Sequence, residues 1–123
     1  MYLIKTSFLN VIVSSVLFIK LTLSSASGNN DSLMLMVTEK KCLVCNIWEK
    51  QIGEIYPKTE IANKFPLLRI EIKDFVNYFK IELKKTKITP TFIFIDNNIE
   101  KGRIVGYTNP EMFWWQVDEI IRD

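Results

Sequence analysis

The sequence contains no histidine and only two cysteines, Cys42 and Cys45. A structural zinc site needs four ligands, so this chain cannot complete one by itself. A basic surplus is also missing, because the chain carries 16 basic and 14 acidic residues. Lys5 and Lys20 lie in the first 26 residues, so the remainder carries 14 of each sign. Since nucleic-acid binding needs a basic surplus on one face, we expect no nucleic-acid partner.

The chain of 123 residues has room for one domain, preceded by a segment with the pattern of an export signal. Lys5 precedes an apolar stretch, 11–19, and small residues at 24–28 suit cleavage after Ala26. The uninterrupted apolar stretch is shorter than the roughly 20 residues of a membrane-spanning helix. We predict a signal peptide over 1–26, with a retained membrane anchor as the alternative. A polar linker over 27–32 and a domain over 33–123 would follow, and the protein would be periplasmic or otherwise exported.

The two cysteines form a Cys-x-x-Cys motif between an apolar run, 33–37, and a helical pattern that begins at Leu43. This position places the first thiol at a helix N-terminus, where unpaired N–H groups and the helix dipole favour a thiolate. Lys40 and Lys41 favour the same reactive form. We therefore predict redox chemistry, with Cys42 as the nucleophile and Cys45 as the resolving thiol.

Export supports this interpretation of the cysteine pair. Outside the cytosol, two thiols in one chain are expected to be oxidised or to act as a redox pair. A disulfide that closes so small a ring stabilises a fold poorly, because the stabilisation grows with loop length. The pair therefore serves chemistry better than it serves scaffolding.

The remaining pattern alternates between strands and helices in the order β-α-β-α-β-β-α. Strands are predicted over 33–37, 67–72, 91–95 and 101–107. One helix is predicted from Leu43 as far as residue 56, and a further helical piece covers 58–64. The later helices are predicted over 75–85, capped by Asp74, and after Asn109, which would cap the last helix. We predict a mixed four-stranded sheet flanked by helices, of fold class α/β.

Three motifs together resemble the thioredoxin family. They are the Cys-x-x-Cys pair after the first strand, Thr-Pro-Thr-Phe over 89–92, and Val105-Gly106 at the end of the last strand. The resemblance covers nearly all of the predicted domain. Further motifs, such as Cys-x-x-Cys-x-x-Trp and Gly-Arg-Ile-x-Gly-Tyr, are similar to those of the small exported SoxS-type thioredoxins of bacterial sulfur-oxidation systems.

The resemblance implies a role for each of these residues. Cys42 would attack a partner's sulfur and Cys45 would release the mixed disulfide. Pro90 would be a cis-proline that faces the pair, with Thr89 offering backbone groups to a substrate strand and Gly106 leaving room beside it. From Thr89-Pro90-Thr91 alone, a trans proline at the start of a strand is the simpler interpretation. The implied protein is a monomeric dithiol–disulfide oxidoreductase without a cofactor, acting on protein disulfides.

The sequence departs from thioredoxins at the motif itself. Lys41 stands where thioredoxins have tryptophan, Leu43-Val44 replaces Gly-Pro, and Met36 falls where thioredoxins have a buried acid. The histidine of strongly oxidising relatives is also absent. The residues alone therefore do not decide whether the protein reduces disulfides or forms them. The resemblance to the family favours a reductase that receives its electrons from a membrane donor.

Two other functions use the same thiols. The pair could deliver Cu(I) or another soft metal ion, or the disulfide could be inert in a thioredoxin-fold interaction protein. Met34 and Met36 are better explained as core residues than as copper ligands. Of Trp114 and Trp115, one is expected to pack in the core while the other lies at its edge.

Overall fold

The structure is a computed structural model, and it describes residues 31–78 and 83–122. The predicted signal peptide and most of the predicted linker lie outside the described residues. The elements follow the predicted order, with short turns inserted after the first helix. They are β1 (Leu33–Thr38), α1 (Leu43–Trp48), a π-helical turn (Glu49–Gly53), a 3-10 turn (Tyr56–Lys58), α2 (Glu60–Lys64), β2 (Leu67–Glu71), α3 (Ile72–Tyr78), β3 (Thr91–Asp96), β4 (Ile99–Val105) and α4 (Pro110–Arg122).

The four strands form one mixed sheet in the order β2-β1-β3-β4. β1 and β2 are parallel, whereas β3 is antiparallel to both β1 and β4. The predicted α/β class and the mixed four-stranded sheet are confirmed. β1 and β3 occupy the centre, which explains why their sequences are continuous apolar runs: each strand is covered on both faces.

Alternate residues of the central strands face opposite sides of the sheet. We call the side that holds both cysteines the front face and the other side the back face. The front face carries Met34, Met36, Phe92, Phe94 and Ile104 and is covered by α1, α2 and α4. The back face carries Leu35, Val37, Ile70, Ile93 and Ile95 and is covered by Phe75 of α3. Met34 and Met36 are fully buried, in agreement with their predicted core role.

The predicted long first helix is shorter than expected. Its α-helical part ends at Trp48, a π-helical turn ends at Gly53, and Tyr56 starts the 3-10 turn. Glycine is a weak helix former. A Cβ on Gly53 would also collide with the Glu49 carboxylate. Pro57 lacks the N–H that a continuing α-helix needs.

The prediction for the helix after β2 was wrong at both ends. α3 starts at Ile72, so Asp74 lies in its first turn instead of at its cap. At the other end, the chain from Leu83 onward is not helical. Thr86 explains part of this, because its hydroxyl contacts the Thr91 hydroxyl at 3.0 Å and accepts from the Ile88 N–H. Such local side-chain bonds compete with helix formation.

The β3–β4 hairpin turns on two residues, Asn97 and Asn98, whose φ angles are 51° and 62°. Two positive φ angles are typical of the tight turn that matches the twist of a hairpin. Asp96 therefore pairs directly with Ile99, and β4 begins and ends two residues earlier than predicted. The predicted cap of the last helix is confirmed, since Asn109 Oδ1 accepts from the Met112 N–H at 2.9 Å.

Candidate active site

The cysteine pair lies where the central strand β1 passes into α1. After β1 ends at Thr38, a turn brings the Cys42 N–H to the Glu39 carbonyl at 3.0 Å. Cys42 is the N-cap of α1 and has extended backbone angles. Cys45 follows in the first turn of the helix, and the two residues are joined by a disulfide with their Cα atoms 5.2 Å apart.

The two sulfur-bearing residues differ in accessibility and in their hydrogen bonds. Cys42 is 9% exposed and Cys45 is 2% exposed. The Sγ atom of Cys42 accepts a hydrogen bond from the Cys45 backbone N–H at 3.1 Å. An N–H aimed at sulfur from a helix N-terminus favours a thiolate once the disulfide is reduced. The residue predicted to attack a partner is thus the one that solvent reaches and the backbone supports.

Aromatic residues on the front face pack behind the pair. Trp48 lies one helical turn after Cys45, and its ring centroid is 4.8 Å from that of Phe92 and 5.7 Å from that of Phe113. All three rings belong to the same buried cluster as the cysteines. Trp48 is the last residue of the Cys-x-x-Cys-x-x-Trp motif, and its position three residues after Cys45 places it on the same helix face.

No carboxylate takes the position of the thioredoxin buried acid, because Met36 is fully buried there. Arg69 stands beside Met36 in the parallel register. Its guanidinium makes two bonds to the Glu49 carboxylate, at 2.6 and 2.8 Å. Donation to Glu49 raises the pKa of Arg69. Both side chains are partly exposed, so the pair adds little to stability.

The Thr89–Pro90 peptide bond is cis, as the resemblance implied, and the simpler interpretation from the tripeptide alone was wrong. Pro90 is buried directly before Thr91, which pairs with Val37 near the end of β1. Because the strands are antiparallel, Pro90 and the turn that leads to Cys42 lie at the same end of the sheet. The structure therefore brings Thr89 and Pro90 to the end where the cysteines lie.

Gly106 directly follows β4 and lies at the same end of the sheet as Pro90. Its N–H donates to the Pro90 carbonyl at 2.8 Å. Its φ angle is +80°, and a Cβ built there would meet no atom within 4 Å. The backbone angle explains the glycine, because side chains strain this conformation. The space beside it is open, in line with the room that the resemblance implied.

Lys40 and Lys41, the predicted modulating residues, are both exposed in the turn before Cys42. At the other side of the pair, the Tyr107 hydroxyl donates to Gln51 Oε1 at 2.6 Å. Partial burial raises the pKa of the Tyr107 hydroxyl. The bond connects the loop before α4 with the π-helical turn that follows α1.

The sequence analysis also missed a group of exposed apolar side chains at this end of the sheet. We call it the apolar collar; it consists of Leu43, Val44, Ile47, Ile88 and Val105, which are 38% to 72% exposed. Leu43 and Val44 lie between the cysteines, while Ile88 and Val105 precede Thr89 and Gly106. Exposed apolar side chains grouped in this way mark interaction surfaces. Helical spacing could have revealed the α1 part, which faces away from Cys45 and Trp48.

Residues 31–78 and 83–122 contain no group of three or more His, Cys, Asp or Glu side chains arranged to hold a metal ion. Within the same residues, no helix has both the length and the apolar character to cross a membrane.

The chain is similar to known proteins in sequence and in fold. A family model described as a thioredoxin-like domain matches residues 19–121. No curated protein matches the chain. Among solved structures, the periplasmic thioredoxin SoxS of Paracoccus pantotrophus, in its reduced form, is 28% identical with a TM-score of 0.67. The alignment covers 73% of this chain and 95% of SoxS.

Two more distant structures share the fold alone. A Malassezia sympodialis thioredoxin (Mala s 13) is 15% identical with a TM-score of 0.56, over 75% of this chain and 79% of that one. The germline-specific thioredoxin Deadhead of Drosophila melanogaster is 17% identical with a TM-score of 0.53, over 73% and 82%. The fold and the cysteine pair together support thiol–disulfide redox activity.

Proposed function

The chain belongs to the thioredoxin-like domain family, and we propose that it is an exported oxidoreductase that reduces protein disulfides. Cys42 is the nucleophile and Cys45 is the resolving thiol. One observation carries this proposal: Cys42 caps α1, is the more exposed of the pair, and accepts the Cys45 N–H at its sulfur. This is the environment that makes one thiol of a pair reactive while the other stays protected.

The reaction begins with the reduced protein. The Cys42 thiolate attacks one sulfur of a substrate disulfide, so a Cys42–substrate bond forms and the substrate S–S bond breaks. The departing substrate sulfur leaves as a thiolate and takes up a proton. The Cys45 N–H stabilises the Cys42 thiolate before the attack, because the bond to sulfur is already in place in the structure.

The second step releases the substrate. Cys45 loses its proton and attacks the Cys42 sulfur, which forms the Cys42–Cys45 disulfide and frees the second substrate thiol. Two electrons have then passed from the protein to the substrate. The two sulfur atoms need little movement to meet, since Cys42 caps α1, Cys45 lies in its first turn, and the two are bonded in the oxidised protein. The low exposure of Cys45 keeps it from competing for other disulfides.

The substrate segment lies, in this proposal, across the end of the sheet that holds the pair. Thr89 and Pro90 form one side of the groove and Gly106 another, where open space adjoins its Cα atom. Thr89 would offer its backbone groups to the extended substrate chain. The apolar collar would contact apolar substrate side chains, so partly unfolded or flexible segments are the best-suited substrates.

Each turnover leaves the disulfide form, so the protein needs a dithiol donor. In an oxidising compartment this donor must carry electrons from the cytosol, and a membrane electron-transfer protein with a reduced dithiol meets that need. The predicted signal peptide and the periplasmic location of SoxS support export.

Trapping of the mixed disulfide tests the proposal. A Cys45→Ser variant can form the bond to substrate but cannot release it, so a covalent complex through Cys42 should accumulate. The substrate is a protein with one disulfide in a flexible, accessible segment, and the complex is detected as a band on a non-reducing gel that disappears when a reducing agent is added.

The matched control is Cys42→Ser, which keeps the less accessible thiol of Cys45 and removes the more accessible one. It should trap nothing and should reduce no disulfide substrate. Equal trapping by the two variants would show that the roles of the cysteines are not distinct. If neither variant reacts while the wild type binds a metal ion through the pair, the metal-delivery alternative is supported instead.

A further inference from the structure

A shallow groove of about 340 Å³ lies on the outer side of α4, lined by Asn109, Glu111, Met112 and Trp115. Trp115 is 58% exposed and Met112 is 44% exposed. The Asn109 side chain is occupied by the helix cap. The groove is therefore walled by an aromatic ring, a flexible apolar side chain and one carboxylate. None of these residues takes part in the thiol chemistry.

The core of the protein does not explain the exposed tryptophan. α4 packs on the front face through Phe113 and Val117, which are buried. The neighbouring Trp114 stacks on Tyr56 with the rings nearly parallel and 6.1 Å apart. Trp115 points to the other side of the helix and adds nothing to that packing. Tryptophans are over-represented among the residues that dominate binding at protein interfaces.

Acidic residues surround the exposed ring. Glu111 lies four residues before Trp115, Asp118 three residues after it and Glu119 four residues after it, which places all three beside the ring on the helix surface. Glu119 pairs with Arg122 at 3.2 Å. Among residues 31–78 and 83–122, neither Glu111 nor Asp118 has an ion-pair partner. The outer surface of α4 therefore offers a π-face together with two carboxylates that have no ion-pair partner among the described residues.

We propose that this groove binds a basic segment of a partner protein, with an arginine side chain over Trp115. A guanidinium stacks on an indole face and pairs with a carboxylate in the same geometry. Glu111 supplies the carboxylate, and Met112 can pack against the aliphatic part of the arginine. The charge argues against an anionic membrane surface, which attracts basic residues and not acidic ones.

The position of the groove suits a docking site beside the catalytic one. β4 ends at Val105 on the end of the sheet that holds the cysteines, and the loop from Gly106 to Asn109 leads directly into α4. The Tyr107–Gln51 bond anchors this loop to the helical layer of the cysteine pair. The N-terminal end of α4, where the groove lies, is therefore linked to the end of the sheet that holds the pair. The groove itself does not depend on the thiols, so the proposal goes beyond the proposed function.

The test uses the purified protein with both cysteines changed to serine and follows the backbone amide NMR signals of α4. Titration with tetra-arginine should shift these signals in a saturable way, whereas tetra-glutamate should not. Trp115→Ala should weaken tetra-arginine binding about three- to tenfold. Glu111→Gln should weaken it by a smaller factor and should reduce its dependence on salt.

Ile99→Ala is the matched control, because Ile99 is an exposed apolar residue in the hairpin at the other end of the sheet. It should bind tetra-arginine as the parent does. The proposal is overturned if tetra-arginine gives no saturable shift, or if Trp115→Ala binds it equally well. Concentration-dependent self-association that Trp115→Ala abolishes would also overturn it, since a second copy would then occupy the groove. Mixed-disulfide trapping by Cys45→Ser is a separate readout, so the two proposals fail independently.

Discussion

The two faces of the sheet are built from alternate residues of the same strands, yet they differ in composition. The front face packs aromatic rings around the cysteine pair, with Trp48, Phe92 and Phe113 in mutual contact. The back face is a smaller aliphatic cluster under α3, with Phe75 as its buried ring. Burial is as complete on both sides for the central strands. Both faces therefore stabilise the fold, and the front face alone also positions the chemistry.

Aromatic packing suits the face that must hold a reactive group in place. A large ring fixes its neighbours through many contacts and has few rotatable bonds. Trp48 is part of α1 itself, so its contacts with β3 and α4 hold the helix whose first residue follows Cys42. The back face has no comparable task, and branched aliphatic residues fill it.

The largest effect is expected from two neighbouring residues of β1 that face opposite sides. Leu35 and Met36 are both fully buried, so Leu35→Ala and Met36→Ala should each destabilise the protein by about 2 to 5 kcal/mol. Only Met36 lies in the cluster that contains the cysteines. Met36→Ala should therefore also slow thiol–disulfide exchange at Cys42, because α1 is held less firmly. Urea unfolding measures the first quantity and reaction with a small aromatic disulfide measures the second.

Leu35→Ala is the control for this comparison, since it loses a similar volume from the back face. Its exchange rate should equal that of the wild type in buffer without urea, where both variants are folded. Equal slowing by the two substitutions would mean that the faces do not differ in function.

A smaller effect is expected from Tyr56, whose buried hydroxyl donates to the Phe65 carbonyl at 2.7 Å on the front face. Tyr56→Phe keeps the ring and its stacking on Trp114 but leaves that carbonyl without its donor. The loss should be about 1 to 3 kcal/mol, the range for an unsatisfied buried group. The free energy of unfolding from urea titration at neutral pH checks this value.

The same hydroxyl predicts an alkaline dependence. Burial raises the pKa of Tyr56 well above its ordinary value of 10.0. The tyrosine of the unfolded chain therefore ionises at a lower pH than that of the folded protein. Its contribution to the free energy of unfolding is fully present below pH 10 and is lost as the pH rises further. Between about pH 9.5 and 11, the wild type should lose stability more steeply than Tyr56→Phe. Parallel curves for the two proteins would show that Tyr56 does not ionise differently on folding.

The smallest effect is expected far from the cysteines, where Asp96 at the end of β3 connects the start of β1 with α2. The Ser32 hydroxyl donates to Asp96, Lys64 lies 3.2 Å from its carboxylate, and both lower the pKa of Asp96. A lowered pKa contributes stability above the unfolded value, and this is lost as the pH falls. Asp96→Asn should reduce the urea midpoint slightly at neutral pH and by less at about pH 3, where the carboxyl group begins to take up a proton. An equal reduction at both values would assign the effect to the amide and not to the charge.

Much of the fold could be predicted from local pattern. The continuous apolar runs of β1 and β3 and the asparagine cap of α4 identify their elements without tertiary information. The break after Trp48 was harder, since Gly53 and Pro57 signal a weak helix but not which turns replace it. The non-helical chain from Leu83 to Lys87 includes Thr86, whose hydroxyl contacts that of Thr91 in β3. A contact of that kind cannot be read from the helix sequence.

The candidate site likewise has features that the sequence predicts and features that depend on tertiary contacts. The cysteine spacing and the position between strand and helix were sufficient to predict which thiol caps the helix. The cis state of Pro90 could not be decided from its neighbours, because it depends on the packing at the end of the sheet. The apolar collar was missed because Ile88 and Val105 lie far from the cysteines in sequence, and only the antiparallel pairing of β3 with its neighbours brings them to the same end of the sheet.

The most direct test of the account is the reduction potential of the Cys42–Cys45 pair, measured by equilibrating the purified protein with defined thiol–disulfide buffers. The account predicts a value near the thioredoxin end of the scale, about −270 mV. Such a value means that the pair donates electrons to substrate disulfides and needs a donor of its own. A value near the oxidising end, about −120 mV, would contradict the account. The protein would then introduce disulfides instead of reducing them.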